Sequence, residues 1–338
     1  MGHSSRIIYI DILRSLCILL LLTYHSFAIY TGGWIKPDNV PDIPLYGWIG
    51  KLSYSFMLPM WIFISGHIWG HQVYTTKKVI TLKGLIIKKT KKLIIPTFVF
   101  GILYILAFGS ILELIKPIGL FLFFCGEGHL WFLPMLFWVF VFSYFLIRIP
   151  LPEHILFPIV VIISICSWNL PSLGIGNGIY YLMFFYFGLI TAKNNCMSIR
   201  LINLVVFLIS FILLFIILNP ILDNVWHSDR YSRPIFQILI HLIPLPYQFV
   251  GIMFFYGLAL RFEKYFQDNS IITFIAGYSF GIYIAHQFIL FWLYYHTSLS
   301  EHIGPMFLPW FALITTTILS VLFVNICFRF KIGRKFLS

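Results

Sequence analysis

One recurrence dominates this sequence. Mostly apolar stretches of roughly twenty residues, the length a helix needs to cross the hydrocarbon of a bilayer, follow one another from residue 7 to residue 328. Polar or Pro/Gly-containing breaks separate them. They predict helices over 7–30, 48–70, 93–112, 129–148, 154–170, 178–193, 200–222, 239–260, 271–295 and 305–328. Residues 113–128 are apolar but short and include Glu113, Pro117 and Glu127, which predicts a re-entrant or interfacial piece. Only 10% of the 338 residues are charged, against about a quarter in a soluble domain. With a mean hydropathy of +0.93, a water-soluble globule is excluded, and so is a chain too polar to fold. The expected fold class is all-α: a polytopic integral membrane protein with about ten transmembrane helices, set in the lipid bilayer.

The formal charge of +12 comes from 23 Lys and Arg against 11 Asp and Glu. In a soluble protein that excess would suggest nucleic acid; here the tendency of cytoplasmic loops to collect Lys and Arg accounts for it, and no nucleic-acid partner is expected. With a cytoplasmic N-terminus, the inner side collects Arg6, seven lysines from Lys77 to Lys92, Arg148, Lys193, Arg200, Arg261, Lys264, Arg329, Lys331, Arg334 and Lys335. The outer side holds Lys36, Lys51, Lys116, Arg230 and Arg233, and Arg14 is left within a helix. An even number of spans returns the C-terminus to the cytoplasm. The five cysteines (Cys17, Cys125, Cys166, Cys196, Cys327) show no CxxC spacing, so neither a metal site nor a disulfide is expected. The first apolar stretch carries Asp11 and Arg14 and lacks a small-residue cleavage site, which makes it a retained helix and not a signal peptide. Residues 1–338 read as a single membrane domain with no appended soluble domain.

Ionisable groups inside a span cost several kcal/mol and mark functional candidates. The first span reads YIDILRSLCILLLLTYHSF over residues 9–27. Arg14 and His25 are eleven residues apart, close to three helical turns, so they share one face at about 16 Å of rise. Asp11 lies three residues before Arg14 and can pair with it. Alternatively Asp11 and Arg14 snorkel to the inner interface and His25 to the outer one; a shared face is more than snorkelling requires. The second span contains FISGH at residues 63–67, where Ser65 and His67 supply polar atoms and Gly66 allows close backbone approach. A small-residue helix contact explains Ser65 and Gly66 equally well. GHLWFLP, residues 128–134, opens the fourth span with His129 and Trp131 at the outer surface, where Trp131 also suits an aromatic belt. GYSFGIYIAHQF, residues 277–288, places Tyr283 and His286 three apart in the ninth span. The basic, amphipathic KKVITLKGLIIKKTKK at 77–92 suits anionic headgroups or a clamp for a cytoplasmic phosphate.

These segments together resemble the membrane-bound acyltransferase 3 family, whose members O-acylate sugars and other envelope components. Four pieces carry the resemblance: Arg14 with ten intervening residues before His25, preceded by Asp11; FISG at Phe63–Gly66; HLWFL at His129–Leu133; and SFGIYIAH at Ser279–His286. The resemblance implies an acyltransferase of the cell membrane, the inner membrane in a diderm bacterium. It would carry an acyl group from a cytoplasmic donor, usually acetyl-CoA, to carbohydrate on or near the outer face. It maps the family's arginine–histidine pair onto Arg14 and His25, with the histidine essential for catalysis. Family members often have arginines in the cytoplasmic stretch before the third helix, where this chain has Lys88, Lys89, Lys91 and Lys92. Lysine binds phosphate as a point charge without the bidentate fork. Many relatives also carry an extracellular hydrolase-like domain that this chain lacks, so acceptor handling would fall to the membrane part.

On this reading Lys88, Lys89, Lys91, Lys92 and Ser65 hold the donor's phosphates in the cytoplasmic half. His129, Trp131, Tyr283 and His286 contact the sugar acceptor or the oxyanion in the outer half, and the pantetheine arm threads between. His25 takes the acceptor hydroxyl proton, or carries the acyl group transiently. Arg14 stabilises the charge developing on the thioester oxygen if the donor carbonyl reaches it and otherwise orients the site or binds the donor, and Asp11 supports it. No bound cofactor or metal is expected; acetyl-CoA is the acyl-donor substrate, and an envelope carbohydrate or lipid-linked sugar the acceptor. The competing class is a transporter or exporter of a lipid-linked or nascent polysaccharide, because polar residues within helices also suit a substrate path. The discontinuous helices and paired repeats common in secondary transporters are not evident.

Overall fold

The computed structural model describes residues 6–109, 126, 128–170, 174–194, 199–267, 269–331 and 333–334. Among them there is no strand. The main helices are α1 (Ile8–Ser26), α2 (Pro44–Ser55), α3 (Met57–Gly70), α4 (Leu82–Phe108), α5 (Gly128–Leu146), α6 (Glu153–Ile165), α7 (Ile175–Lys193), α8 (Leu201–Trp226), α9 (Pro234–Phe266), α10 (Ser270–Tyr295) and α11 (Leu308–Arg329). The protein is therefore an all-α, polytopic membrane protein. Among the described residues, eight helices are long and apolar enough to cross a bilayer: α1, α4, α5 and α7 to α11.

Every one of the ten expected segments is largely helical over its described residues, but four depart from a single unbroken helix: 7–30 breaks at Phe27, 239–260 turns at Ile243–Pro244, and two others are altered as follows. The stretch expected at 48–70 breaks at Phe56 (φ −127°, ψ −7°) into α2 and α3. Pro59 is the cause: it has no N–H to offer the Ser55 carbonyl four residues back, and its ring would collide with that carbonyl if the helix ran through. The stretch expected at 154–170 is helical only to Ile165, then tightens into a 3-10 turn over Cys166–Asn169. The segment expected to be re-entrant, 113–128, lies almost wholly outside the described residues.

By contacts the chain forms two compact units. The first comprises Met1–Leu58, Ser198–Ile209 and Gln248–Ser338, and the second Pro59–Met197 and Ser210–Tyr247. In the first unit α1 lies along α10. Ser15 Oγ donates to the Ile272 carbonyl (3.2 Å) and Tyr294 Oη to the Ser26 carbonyl (2.5 Å), so the two helices run parallel. α10 runs antiparallel to α11. At one end Leu290 and Tyr294 share a core cluster with Leu308 and Ala312; at the other, Tyr278 Oη donates to Asn325 Oδ1 (3.4 Å).

Residues 27–43 close one end of this unit. Gly32 takes a left-handed conformation (φ 79°) to turn the chain after a short helix at Ala28–Thr31, a geometry that glycine adopts without strain. Hydrogen bonds then tie the segment down. Tyr295 Oη donates to the Ile35 carbonyl (2.7 Å), Asn39 Nδ2 to that of Ser300 (2.7 Å) and Tyr30 Oη to that of Pro305 (3.0 Å).

In the second unit α3 crosses α7 with almost no space between backbones. A Cβ on Gly66 would come within 2.0 Å of the Phe185 carbonyl oxygen, and one on Gly188 within 2.1 Å of that of Phe63. The glycines are what permit the crossing, the small-residue contact that FISG offered as one of its two readings. Progressing along α3 from Gly66 to Gly70 moves the contact along α7 from Phe185 to Ala192. The helices are thus parallel. Trp69, Phe140 and Phe185 interlock α3, α5 and α7 at centroid distances of 5.0–5.6 Å. α6 is tied to α7 by Ser164 Oγ donating to the Ile179 carbonyl (2.8 Å) and by a Lys193–Glu153 ion pair (2.6 Å). Burial pushes the Glu153 carboxyl up, but hydrogen bonds from Lys193 and Asn194 outweigh it and hold the group below its ordinary value.

Candidate active site

α1 builds the candidate site from an uninterrupted helix of 19 residues, so the 3.6-residue spacing that aligns Arg14 with His25 holds along its whole length. Helical order ends at Ser26, where Phe27 (φ −100°, ψ 5°) turns the chain. His25 therefore sits in the last helical turn, with 9% of its surface exposed. Its Nδ1 lies 3.1 Å from the Leu21 carbonyl oxygen and 3.2 Å from Nε2 of His286. His286 is fully buried on α10, and its own Nδ1 lies 2.6 Å from the Tyr283 carbonyl oxygen. The two imidazole centroids are 4.8 Å apart.

Aromatic rings wrap this pair. Tyr24 packs edge-on to His25 at 4.9 Å and stacks on Tyr54 at 4.3 Å. Trp34 places its ring 5.8 Å from His25 and is itself held by Phe291 (6.1 Å), Tyr294 (6.2 Å) and Tyr295 (6.3 Å). The ring of Tyr283 lies 6.1 Å from that of His286.

The sequence reading placed His25, Tyr283 and His286 among its candidates, and the structure brings all three together. It missed the direct pairing of His25 with His286 and did not single out Trp34. The pairing joins residues 261 apart in the chain, and no local pattern signals it. Trp34 offered a weaker signal, as a large aromatic in the segment just after the His25 helix.

At the other end of α1, Arg14 is half-buried and Asp11 buried. Asp11 Oδ2 accepts a hydrogen bond from Arg6 Nε. The carboxylate expected to pair with Arg14 is thus bonded to an arginine five residues earlier, and Arg14 remains within its electrostatic reach. The remaining candidates belong to the second unit. Ser65 Oγ donates to the Trp61 carbonyl of its own helix (3.0 Å). His129 is buried in a 3-10 turn, Gly128–Trp131, its ring 6.5 Å from that of Tyr104. Trp131 lies 6.3 Å from Tyr181. Lys88, Lys91 and Lys92 are exposed, whereas Lys89 is half-buried with its ammonium 3.1 Å from the centroid of Phe140. That cation–π contact directs Lys89 toward α5, apart from the three exposed lysines. Among the described residues, no group of three or more His, Cys, Asp or Glu side chains has the geometry to hold a metal ion.

A buried imidazole engaged through one nitrogen and ringed by aromatic faces is suited to moving a proton beside a substrate of mixed polarity. An acyltransferase domain family model matches residues 7–326, nearly the whole chain and all four motif segments. The chain belongs to the membrane acyltransferase 3 family. Searches of curated proteins and of solved structures returned no match.

Proposed function

We propose that this protein transfers an acetyl group from cytoplasmic acetyl-CoA to a hydroxyl of an envelope carbohydrate or lipid-linked sugar. The observation that carries the reading is His25: a buried imidazole in the last turn of a spanning helix, with Nδ1 held by protein groups. Its Nε2 makes no hydrogen bond among the described residues and is the atom offered to substrate.

In the reaction His25 Nε2 takes the proton from the acceptor hydroxyl, and the oxygen forms a bond to the thioester carbonyl carbon. The C–S bond then breaks, and the departing thiolate recovers the proton from His25 to give free CoA. The exposed Lys88, Lys91 and Lys92 suit the donor's phosphates as point charges, and Arg14 suits orientation of the donor. Trp34 offers the acceptor a flat apolar face beside the base, one that complements the C–H face of a pyranose ring. Tyr283, whose ring lies 6.1 Å from that of His286, is a further acceptor or oxyanion contact. The excess of basic residues on one set of loops supports cytoplasmic termini and a cell-membrane location, the inner membrane in a diderm bacterium.

The test is mass spectrometry of the surface carbohydrate from cells with and without the protein, paired with release of CoA from acetyl-CoA by membranes containing it. One acetyl mass per modified sugar, lost with the protein and restored by its expression, is the expected result. Unchanged carbohydrate and unchanged CoA release would overturn the reading.

A further inference from the structure

We propose that His286 is a positioning residue for acyl transfer: it accepts the Nδ1 hydrogen of His25 on its own Nε2 and so holds His25 as a base that works through Nε2. The proposal rests on the reading of His25 as the proton acceptor. It concerns a residue that the motif comparison had placed against the acceptor or the oxyanion.

The positions of the hydrogens follow from the carbonyls that face each ring. A carbonyl oxygen only accepts, so the 2.6 Å contact between His286 Nδ1 and the Tyr283 carbonyl puts a hydrogen on that nitrogen. In the neutral ring this leaves Nε2 with a lone pair, directed at His25 Nδ1 at 3.2 Å. The other neighbour of His25 Nδ1 is again a carbonyl, that of Leu21 at 3.1 Å. Suppose instead that His286 carried its hydrogen on Nε2. Then His25 Nδ1 would be bare opposite the Leu21 oxygen, two lone pairs face to face, and a doubly protonated His286 would place its charge at a fully buried position. The Leu21 and Tyr283 carbonyls, one beside each Nδ1, therefore set the direction of the hydrogens in this chain. The order is His25 Nε2 lone pair, His25 Nδ1–H, His286 Nε2 lone pair, His286 Nδ1–H and Tyr283 carbonyl.

Two consequences follow for the reaction. The Nδ1 hydrogen of His25 is shared between an acceptor on its own helix and one on α10, so the ring plane is fixed from two directions. When His25 takes a proton on Nε2, the positive charge that spreads to Nδ1–H faces the His286 lone pair and needs no reorganisation to be stabilised. The buried carboxylate of the Ser-His-Asp arrangement performs the same two tasks; here a neutral imidazole performs them without placing an anion in the membrane.

His286→Leu keeps side-chain bulk and removes the acceptor, while His286→Gln keeps an acceptor oxygen near the position of Nε2. Acetyl transfer from labelled acetyl-CoA to endogenous glycan is measured in membranes carrying each variant. The expected result is a maximal rate lowered about 10–100-fold in His286→Leu, as for loss of an orienting partner, with KM for acetyl-CoA within about twofold. His286→Gln recovers roughly tenfold of that loss. A wild-type maximal rate in His286→Leu, or a His286→Gln variant no better than it, overturns the proposal. A second arm needs no substrate. In ¹⁵N-histidine-labelled protein in detergent, with His25 and His286 assigned from the spectra of His25→Gln and His286→Gln, nitrogen shifts show which nitrogens carry hydrogens. A coupling across the hydrogen bond between His25 Nδ1 and His286 Nε2 is expected. A hydrogen found on His286 Nε2 removes the proposal even where transfer is intact. The expected hydrogens without any acetyl transfer in wild-type membranes would instead sink the proposed reaction and leave the pairing standing.

Discussion

Two buried histidines, each hydrogen-bonded to a residue from a distant helix, differ in the partner that each one meets. His67 on α3 places Nδ1 3.1 Å from Thr191 Oγ1, whose own hydrogen goes to the Gly188 carbonyl at 2.7 Å. That chain of donors ends on helix backbone beside the close crossing of α3 and α7, and the Phe63 ring lies over the imidazole at 5.9 Å. His25 pairs with a second imidazole and has Tyr24 and Trp34 against its ring. A hydroxyl already donating to backbone locks a contact, whereas an imidazole lone pair can answer a change of charge. Both imidazoles are buried; on the proposed reading of His25, the chemistry of the partner is what sets it apart from His67.

The comparison breaks first at His25. His25→Ala is expected to lower acetyl transfer by about 10²–10⁴-fold, the usual contribution of a positioned base, while thermal unfolding of the purified protein stays near wild type. Acetylation above a tenth of the wild-type rate would place His25 with His67 among packing residues. Next in size is Gly188→Leu, which forces a side chain into the Phe63 carbonyl. Its cost belongs at or beyond the top of the roughly 1–3 kcal/mol range for overpacking, read as loss of monodisperse protein on size exclusion in detergent. A well-behaved Gly188→Leu protein with an unshifted Tm would refute the crossing. His67→Phe, which keeps an aromatic ring and deletes the bond to Thr191, is expected to cost about 0.6 kcal/mol and no more than about 1.7 kcal/mol, the mean and maximum for hydrogen bonds between membrane helices. Transfer per folded molecule should be unchanged, and a large fall in turnover would place His67 with His25 among the residues that the reaction needs. The smallest effect is expected on α8, where Ile216 and Ile217 are exposed at 53% and 58%. Ile216→Leu there should shift stability by no more than about 0.5 kcal/mol, so a clear Tm change would mean that this face is covered.

Much of the architecture is readable in the chain because bilayer thickness acts locally. A run of apolar residues reports a span whatever it packs against, and Arg14 with His25 needs only the helical repeat to share a face. The interruption at Phe56 was also present, in Pro59, but continuous apolarity from 48 to 70 masks a backbone break that costs no hydropathy. Ser65 and Gly66 illustrate a different limit. Their small size announces a contact without naming its partner, and the structure supplies Phe185 for Gly66 and an intrahelical carbonyl for Ser65. The expected Asp11–Arg14 pair was allowed by spacing, yet Arg6 on the same carboxylate shows that several cations of one helix end compete for a single partner.

The sequence by itself determined the membrane class, the approximate spans, the charge bias of the loops and the family motifs, since each depends on residues near one another in the chain or on composition alone. Tertiary structure decided that α1 lies parallel to α10, and with it that His25 meets His286, that Trp34 turns back beside the imidazole, and that Lys89 lies against Phe140 rather than with its neighbouring lysines. Those are contacts of side chains whose positions depend on how whole helices align. A hydrogen bond between residues 261 apart has no counterpart in any local spacing.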